Sequence, residues 1–477
     1  MTDRPDPRPR VGEQASHRGP VLVIGGGIAG LAAAYEVTRL GGRALVLEAG
    51  GRPGGVILTE RVDGFLIDAG PDAILAQRPA ALDLCRELGL GHRLTPTLLP
   101  RTAYILRSGR LHPLPEASVL GIPARLAPLA ATGLFSTAGK ARMALDLVLP
   151  RRRANGVDES IGAFMRRRFG DEVVRYLAQP LLAGIHSGDV DRLSMRALFP
   201  RLVEAEARHR SLIRAFRTMH GGSSKDGLFR SLPGGIGELV DALVAALPSD
   251  AIRLSSPVRH IDRLPDGGYR VALASGDEID GPAVVVSTPT YVAAEMLRRL
   301  DARLAALCAE VPYASSVTVA LGYRRSAVSH GLEGSGFLVP KAERAERLMA
   351  ASWVSSKWPG RAPEGFVLLR AFLGGARDPE LMAWNDDDLV ALAHRELSRL
   401  LGIAGSPSLA RLYRWERANA QHEVGHLARL DGIEQCLARW PGLHVTGSGF
   451  RGTGLTDCVG DARRVATAVA RHLGILV

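Results

Sequence analysis

Residues 21–50 read VLVIGGGIAGLAAAYEVTRLGGRALVLEAG. VLVI (21–24) is an unbroken apolar run, short enough for a buried strand, and it ends in a glycine turn. IAGLAAAYEVTRL then predicts a helix closed by Gly41-Gly42, and ALVLEAG (44–50) a second buried strand. Two continuous apolar strands joined by a helix require a parallel sheet covered on both faces. Within the turn, Gly25, Gly27 and Gly30 satisfy GxGxxG, so that Gly25, Gly26, Gly27, Ile28, Ala29 and Gly30 form a candidate phosphate cradle. The first glycine makes the turn, the second lets a pyrophosphate reach the backbone, and the third lets helix and strand pack closely. The helix start supplies free N–H groups and the positive end of its dipole. Glu48, 23 residues after Gly25, stands where a carboxylate takes ribose hydroxyls and repels a 2′-phosphate.

The next residues separate the dinucleotides. EAGGRPGG (48–55) adds a second glycine pair, Gly54-Gly55, behind Ala49 and Arg52. A simple NAD domain has no need of that loop. In FAD proteins of the glutathione-reductase class such a loop covers the pyrophosphate and leads toward the flavin, so FAD is the expected cofactor, one per chain. The lesser alternative for Arg52 is a surface arginine.

Outward from this unit, the chain of 477 residues supports several domains. With 46% hydrophobic and 23% charged residues it is globular, not disordered. Cys85, Cys308, Cys436 and Cys458 are scattered and never form CxxC, so neither a disulfide scaffold nor a zinc ribbon is indicated, and no metal site is expected. The formal charge of +11 is nearly all arginine and is spread along the chain. A nucleic-acid protein would concentrate it in a stripe, so no nucleic-acid partner is expected. An anionic small substrate suits the charge better. Residues 1–20 are rich in proline and charge and are expected to be a flexible tail. They contain no apolar signal region, which points to the cytoplasm.

The expected fold class is α/β with α+β: a Rossmann-like FAD-binding domain, a mixed-sheet substrate domain and a helical insertion. The FAD domain takes 21–75 with about 232–290 and 411–477, the mainly helical domain 76–231, and the substrate domain 291–410. Strands are expected at 284–288, 316–323, 365–374 and 443–449, and helices at 386–403 and 461–476.

Beyond the glycine motifs, GPDAIL (70–75), LHPLP (111–115), GIPARLAPLAATGLFSTAGKARMALDLVLP (121–150) and GDEVVRYLAQPLLAGIHSGDVDRLSMRALFP (170–200) are distinctive. So are LPGGIGELVDAL (232–243), RWERANAQHEVGH (414–426) and GSGFRGTGLTDCV (447–459). With these the chain, from Val21 onward, resembles the flavin amine-oxidase superfamily, and within it the oxygen-dependent porphyrinogen oxidases of haem synthesis. It looks more like the bacterial type acting on coproporphyrinogen III than the type acting on protoporphyrinogen IX. The resemblance implies that the cradle, Glu48, Ala49, Arg52, Gly54 and Gly55 hold the adenosine and pyrophosphate. It also implies that Gly70, Pro71, Asp72 and Ala73 run near the isoalloxazine and that Val258 meets the adenine. Trp415 would sit in the flavin domain, and Thr453, Gly454 and Leu455 would meet the flavin N1/O2 edge. There a helix N-terminus would stabilise the negative charge of reduced flavin. Arg78 would face a propionate, and Leu338 and Phe372 would flank the substrate ring. Arg78 also reads as a solvated helix residue, and Leu338 and Phe372 as ordinary core. The chain departs from its relatives at Asp68-Ala69, at Ala420-Gln421-His422 and at Phe372, where close relatives carry tyrosine.

The implied reaction removes six electrons in three cycles, each taking a hydride from a meso carbon and a proton from a pyrrole nitrogen, with oxygen as acceptor and peroxide as product. The sequence names no catalytic acid or base. His186 and His426 read as packed or capping residues. Cys458 raises the question of a thioether, but the resemblance implies non-covalent FAD. Arg151–Arg153 and Arg166–Arg168 read as solvated faces that leave peripheral contact with anionic lipid open, as transient contact with other haem-pathway enzymes is left open. A carotenoid desaturase would not share the 121–200 block. An amine oxidase would cage its flavin with aromatics, and the matched loop offers Phe450 alone. A non-catalytic FAD-binding scaffold would be expected to have lost the glycine cradle, which is intact.

Overall fold

The computed structural model describes residues 19–114, 118–119, 122–123, 130–150, 157–219, 227–343 and 346–476. The expected tail lies almost wholly outside them, as does Arg151–Arg153.

The opening unit forms as read. Strand Val21–Ile24 runs into helix Ile28–Arg39 and returns as strand Ala44–Leu47. Its two strands pair in parallel, and three further parallel pairings extend them to a five-stranded sheet in the order Ile252–Arg253, Ala44–Leu47, Val21–Ile24, Val284–Val286, Leu443–Val445. Both faces are covered, which is why the central strands Ala44–Leu47, Val21–Ile24 and Val284–Val286 are apolar throughout. Helices Ile28–Arg39, Ala80–Glu87, Gly237–Ala246 and Leu455–His472 pack on one face. An antiparallel sheet of Val258–Arg263, Tyr269–Leu273 and Glu278–Gly281 covers the other, with helices Thr290–Leu297, Ala302–Ala309 and His426–Leu437.

A seven-stranded mixed sheet forms the second body. Its order is Leu409–Ala420, Tyr313–Arg324, Phe366–Gly374, Ala350–Trp353, Gly336–Leu338, Ala103–Arg107, Arg110–Pro113. Helix Asp386–Leu401 closes one face through Leu389, Leu392, Ala393, Leu397 and Leu401. Two expectations are corrected here. Residues 103–113 are a hairpin in this sheet rather than part of a helical region. The boundary expected at 411 falls inside a strand that pairs along almost its whole length with Tyr313–Arg324.

The helical body is built from Thr137–Ala144, Ile161–Phe169, the continuous run 171–186, Met195–Leu198, Pro200–His209 and Leu212–Met219. Its centre corrects the reading of Arg166–Arg168 as a solvated face: Arg166 is exposed, Arg167 half-buried and Arg168 buried. Arg168 and Asp146 are both fully buried and ion-paired. Arg168 also donates to the carbonyls of Asp146, Pro150 and Arg210. Asp146 accepts from Ser211 Oγ at 2.6 Å and Ile213 N at 3.0 Å. Arg167 pairs with Glu206 and Glu159, and Arg166 with Asp171 and Asp191. Successive helical residues diverge by 100°, so three in a row cannot share one face. Among the described residues no helix is long and apolar enough to cross a membrane.

Candidate active site

The cradle has the geometry its residues require. Gly25 adopts φ +104°, and a Cβ on Gly30 would stand 1.9 Å from the Gly25 carbonyl oxygen and 2.5 Å from Ser287 Oγ. Ser287 fixes the turn by donating to the carbonyls of Ile24 and Gly25 at 2.9 and 2.8 Å. A Cβ on Gly27, by contrast, would meet nothing within 4 Å, so the space above the helix start is open. That helix has neither a capping side chain nor an acid in its first turn. An open helix N-terminus with no capping side chain and no acid in its first turn fits a pyrophosphate.

Glu48 projects into the same turn. Its two oxygens accept from Gly26 N at 2.6 Å and Gly50 N at 2.7 Å. Each oxygen keeps a lone pair for a ribose hydroxyl. The second glycine loop lies directly on the first, with Gly54 N bonded to Gly26 O at 2.7 Å. The Arg52 guanidinium donates to the carbonyls of Pro53, Gly55 and Ile57 and staples this loop. Val258 begins a strand two residues beyond Ser256, whose N–H bonds the Glu48 carbonyl at 2.8 Å, so the strand starts close to Glu48.

Gly70–Ala73 lies where the two bodies meet. A Cβ on Gly70 would stand 2.0 Å from Val56 O, so only glycine fits. Three successive carbonyls are taken by side chains of the seven-stranded sheet. Arg370 donates to Asp68 O and, at 2.9 Å, to Gly70 O; Trp415 Nε1 donates to Ala69 O at 3.2 Å. Trp415 therefore belongs to the sheet of the other body and reaches the flavin body through this bond, a correction to its expected location. The Asp72 carboxylate accepts from Lys357 Nζ at 2.9 and 3.1 Å and from Trp358 Nε1 at 3.2 Å. Burial opposes its ionisation, but Lys357 and Arg370 outweigh it and hold this carboxyl well below the usual range. Burial pushes the neighbouring Asp68 up, against the opposing pull of Arg361.

The sheet face that reaches this segment also carries both ring-flanking candidates. Leu338, Ala350 and Phe372 are direct cross-strand partners, and Thr318 and Tyr413 continue the row. Leu338 and Phe372 are thus two strands apart, about 10 Å, on one face. Helix Gln179–His186 crosses the Leu338 end: a Cβ on Gly184 would lie 3.0 Å from Leu338 Cδ2.

The third segment expected to meet the flavin is an uncapped helix start. Gly454 begins helix Leu455–His472, six residues earlier than expected, which puts Thr453, Gly454 and Leu455 at its N-terminus. Arg78 is committed to Asp457 in the first turn of that helix, so it is not a free rim cation. His186 Nδ1 lies 3.4 Å from Thr453 Oγ1, and burial pushes its pKa down to about 4. His422 and His426 stack at 3.8 Å and bond the carbonyls of Ser448 and Phe450, holding the approach to this loop. His426 is a packed residue, and Gly425 is the cap. The Cys458 thiol is buried, points at Gly452 O, and is pushed up to about 12 by its burial.

Comparison with known proteins agrees with this geometry. The family described as flavin containing amine oxidoreductase matches residues 28–470. The chain belongs to this family. Its cofactor is therefore a flavin, its activity that of an oxidoreductase, and its fold that of the flavin amine oxidases. A coproporphyrinogen III oxidase from Bacillus subtilis (strain 168) is 35% identical over 467 residues, spanning 95% of this chain and 98% of the relative. A chloroplastic protoporphyrinogen oxidase from Nicotiana tabacum is 29% identical over 479 residues, spanning 95% and 85%. A solved structure from Exiguobacterium sp. superposes with a TM-score of 0.84 at 32% identity, covering 95% of this chain and 98% of that one.

Within this flavin oxidoreductase, sequence reasoning missed Lys357, Trp358 and Arg370. Arg370 had a legible signal: it interrupts the apolar strand GFVLLRAFLG, and a charge placed in a buried strand needs partners.

Proposed function

We propose that the chain oxidises coproporphyrinogen III to coproporphyrin III, with tightly but non-covalently bound FAD, oxygen as acceptor and hydrogen peroxide as product, in haem biosynthesis. The reading is carried by the full-length similarity to the B. subtilis coproporphyrinogen III oxidase. It is supported by the row Leu338–Ala350–Phe372, whose sheet face closes over segment 68–73. Bound FAD would accept two electrons and a proton's equivalent as hydride in each of three cycles.

The chain's own residues supply position and field. The cradle and Glu48 anchor the adenosine and pyrophosphate. The uncapped start of helix Leu455–His472 offers its positive dipole end to charge at the flavin edge. Leu338 and Phe372 present an apolar row to a flat ring. Arg78 serves a propionate only by sharing its charge with Asp457. Non-covalent binding is supported by the Cys458 thiol, which is buried and engaged within its own turn. The cytoplasm is the proposed location.

The deciding experiment presents coproporphyrinogen III and protoporphyrinogen IX side by side to one preparation and follows porphyrin fluorescence. The expected kcat/KM is higher for coproporphyrinogen III, with peroxide and porphyrin formed in a ratio of about three to one, one peroxide per two-electron cycle. Equal or better use of protoporphyrinogen IX would favour the second reading, a protoporphyrinogen IX oxidase, for which the Nicotiana tabacum relative speaks.

A further inference from the structure

The geometry points to Arg370 as a positioning residue of the flavin site, one that turns segment 68–73 toward the cofactor and biases the cofactor's reduction by its charge. The inference rests on the reading that a flavin lies along this segment.

Arg370 is 5% exposed, and it projects from the middle of strand Phe366–Gly374 on the same face as Phe372, whose ring lies 4.8 Å beneath its guanidinium. The planar fork takes two carbonyls, Asp68 O and Gly70 O, while Trp415 takes the one between them. In a trans peptide the N–H points opposite to the C=O of the same unit. With the Ala69 carbonyl turned to the sheet, the Gly70 N–H is turned away from it. Among the described residues neither that N–H nor those of Asp72 and Ala73 has a protein acceptor. The Gly70 N–H is thus presented on the side away from the sheet, and the unpartnered N–H groups of Asp72 and Ala73 follow it along the segment, backbone donors available to the oxygen and nitrogen atoms of a ring.

The charge balance adds a second effect. Around the segment stand three buried or half-buried cations, Lys357, Arg361 and Arg370, against two carboxylates, Asp68 and Asp72. Arg370 Nε has no partner, so its charge is incompletely compensated. A net positive charge beside a flavin favours the reduced, more negative form.

The test compares wild-type, R370M and R370K holoenzyme. The readouts are the midpoint potential of the bound flavin, by coupled dye reduction, and the affinity of the apoprotein for FAD. R370M is expected to lower affinity at least tenfold and to move the midpoint negative by about 30 mV, the equivalent of tenfold in a two-electron couple. R370K keeps the charge but lacks the planar fork, and is expected to restore the potential while leaving the affinity low. R370Q, neutral but with a donor of its own, carries the same potential measurement if R370M fails to fold. A purely structural arginine would lower affinity and melting temperature and leave the potential of the retained flavin unmoved, and that result would overturn the proposal. No porphyrinogen is used, so an error in the substrate leaves this test intact. Wild-type protein that takes up no FAD would overturn both readings.

Discussion

Single atoms decide what the cradle tolerates, and two glycines three residues apart should fail in different ways. A Cβ at Gly30 collides with the Gly25 carbonyl, a backbone atom that cannot move aside. Gly30→Ala is therefore expected to lower the melting temperature of the apoprotein as well as to abolish flavin binding, with overpacking costing about 1–3 kcal/mol. A Cβ at Gly27 would meet no atom within 4 Å beyond its chain neighbours and its own helix turn. Gly27→Val is expected to fold with a near-wild-type apoprotein melting curve and yet purify colourless, because the side chain fills the space a pyrophosphate needs. Scanning calorimetry beside the flavin spectrum separates the two outcomes. Arg78 makes a similar pair with Asp457, with 43% and 25% of the two side chains exposed. Such an ion pair contributes little to stability, about 0–1 kcal/mol. Arg78→Ala should raise KM for coproporphyrinogen III a few-fold and leave kcat nearly alone, the pattern of lost uniform binding. Asp457→Asn, which frees Arg78, should lower KM. A rise in KM in both variants would remove Arg78 from the propionate rim.

At the level of elements, legibility followed how local the deciding interactions are. Strand Val21–Ile24, its helix and strand Ala44–Leu47 form where the sequence places them, because glycine turns and apolar runs act over a few residues. Helix Leu455–His472 was read six residues short, since its first turn, LTDC, carries few helix-forming residues and its N-cap glycine has no capping side chain. The hairpin 103–113 was missed because its strands are stabilised by pairing with Gly336–Leu338, more than 200 residues away. The site followed the same rule. Its cradle was legible, whereas the Arg370 and Lys357 contacts span about 300 residues of sequence and depend on the completed sheet. Arg168 is the clearest case, a charge read as solvated that proves to be the centre of the helical body. Removing one partner of a buried pair leaves the other uncompensated, at a cost of about 3–5 kcal/mol. Arg168→Met alone is expected to lower the melting temperature sharply and to open helix Ile161–Phe169 to proteolysis. Arg168→Met with Asp146→Leu should recover part of the loss. A single variant that melts like wild type would show that the pair contributes nothing to stability.

Across the whole molecule, charge acts in two ways, through acid stability and through encounter. Burial pushes His186, His426 and His444 down to about 4; burial, with His426 adjacent, pushes His422 down to about 3. In the unfolded chain these rings bind protons below about 6.5. Between that value and about 4 the unfolded state holds more protons than the native state, so stability falls as pH falls through this window and is level above it. Melting temperatures from pH 7.5 to 4.5 should trace that fall, and His444→Gln should make it shallower. The second effect concerns the substrate. Arg78 and Arg361 near the proposed site are already paired, and the buried Arg370 is engaged by the carbonyls of segment 68–70, so selection there owes little to free rim cations. The net charge of +11 nevertheless surrounds the whole chain with a field that favours an anionic substrate. Coproporphyrinogen III carries two more carboxylates than protoporphyrinogen IX and should feel that field more strongly. Raising ionic strength from about 0.01 to 0.15 M shortens the screening length from about 30 to about 8 Å. Over that range kcat/KM for coproporphyrinogen III should fall several-fold, kcat should stay level, and the fall for protoporphyrinogen IX should be smaller. Equal salt slopes for the two substrates would mean that the global field does not help choose between them, and would leave the choice to the apolar row of Leu338, Ala350 and Phe372.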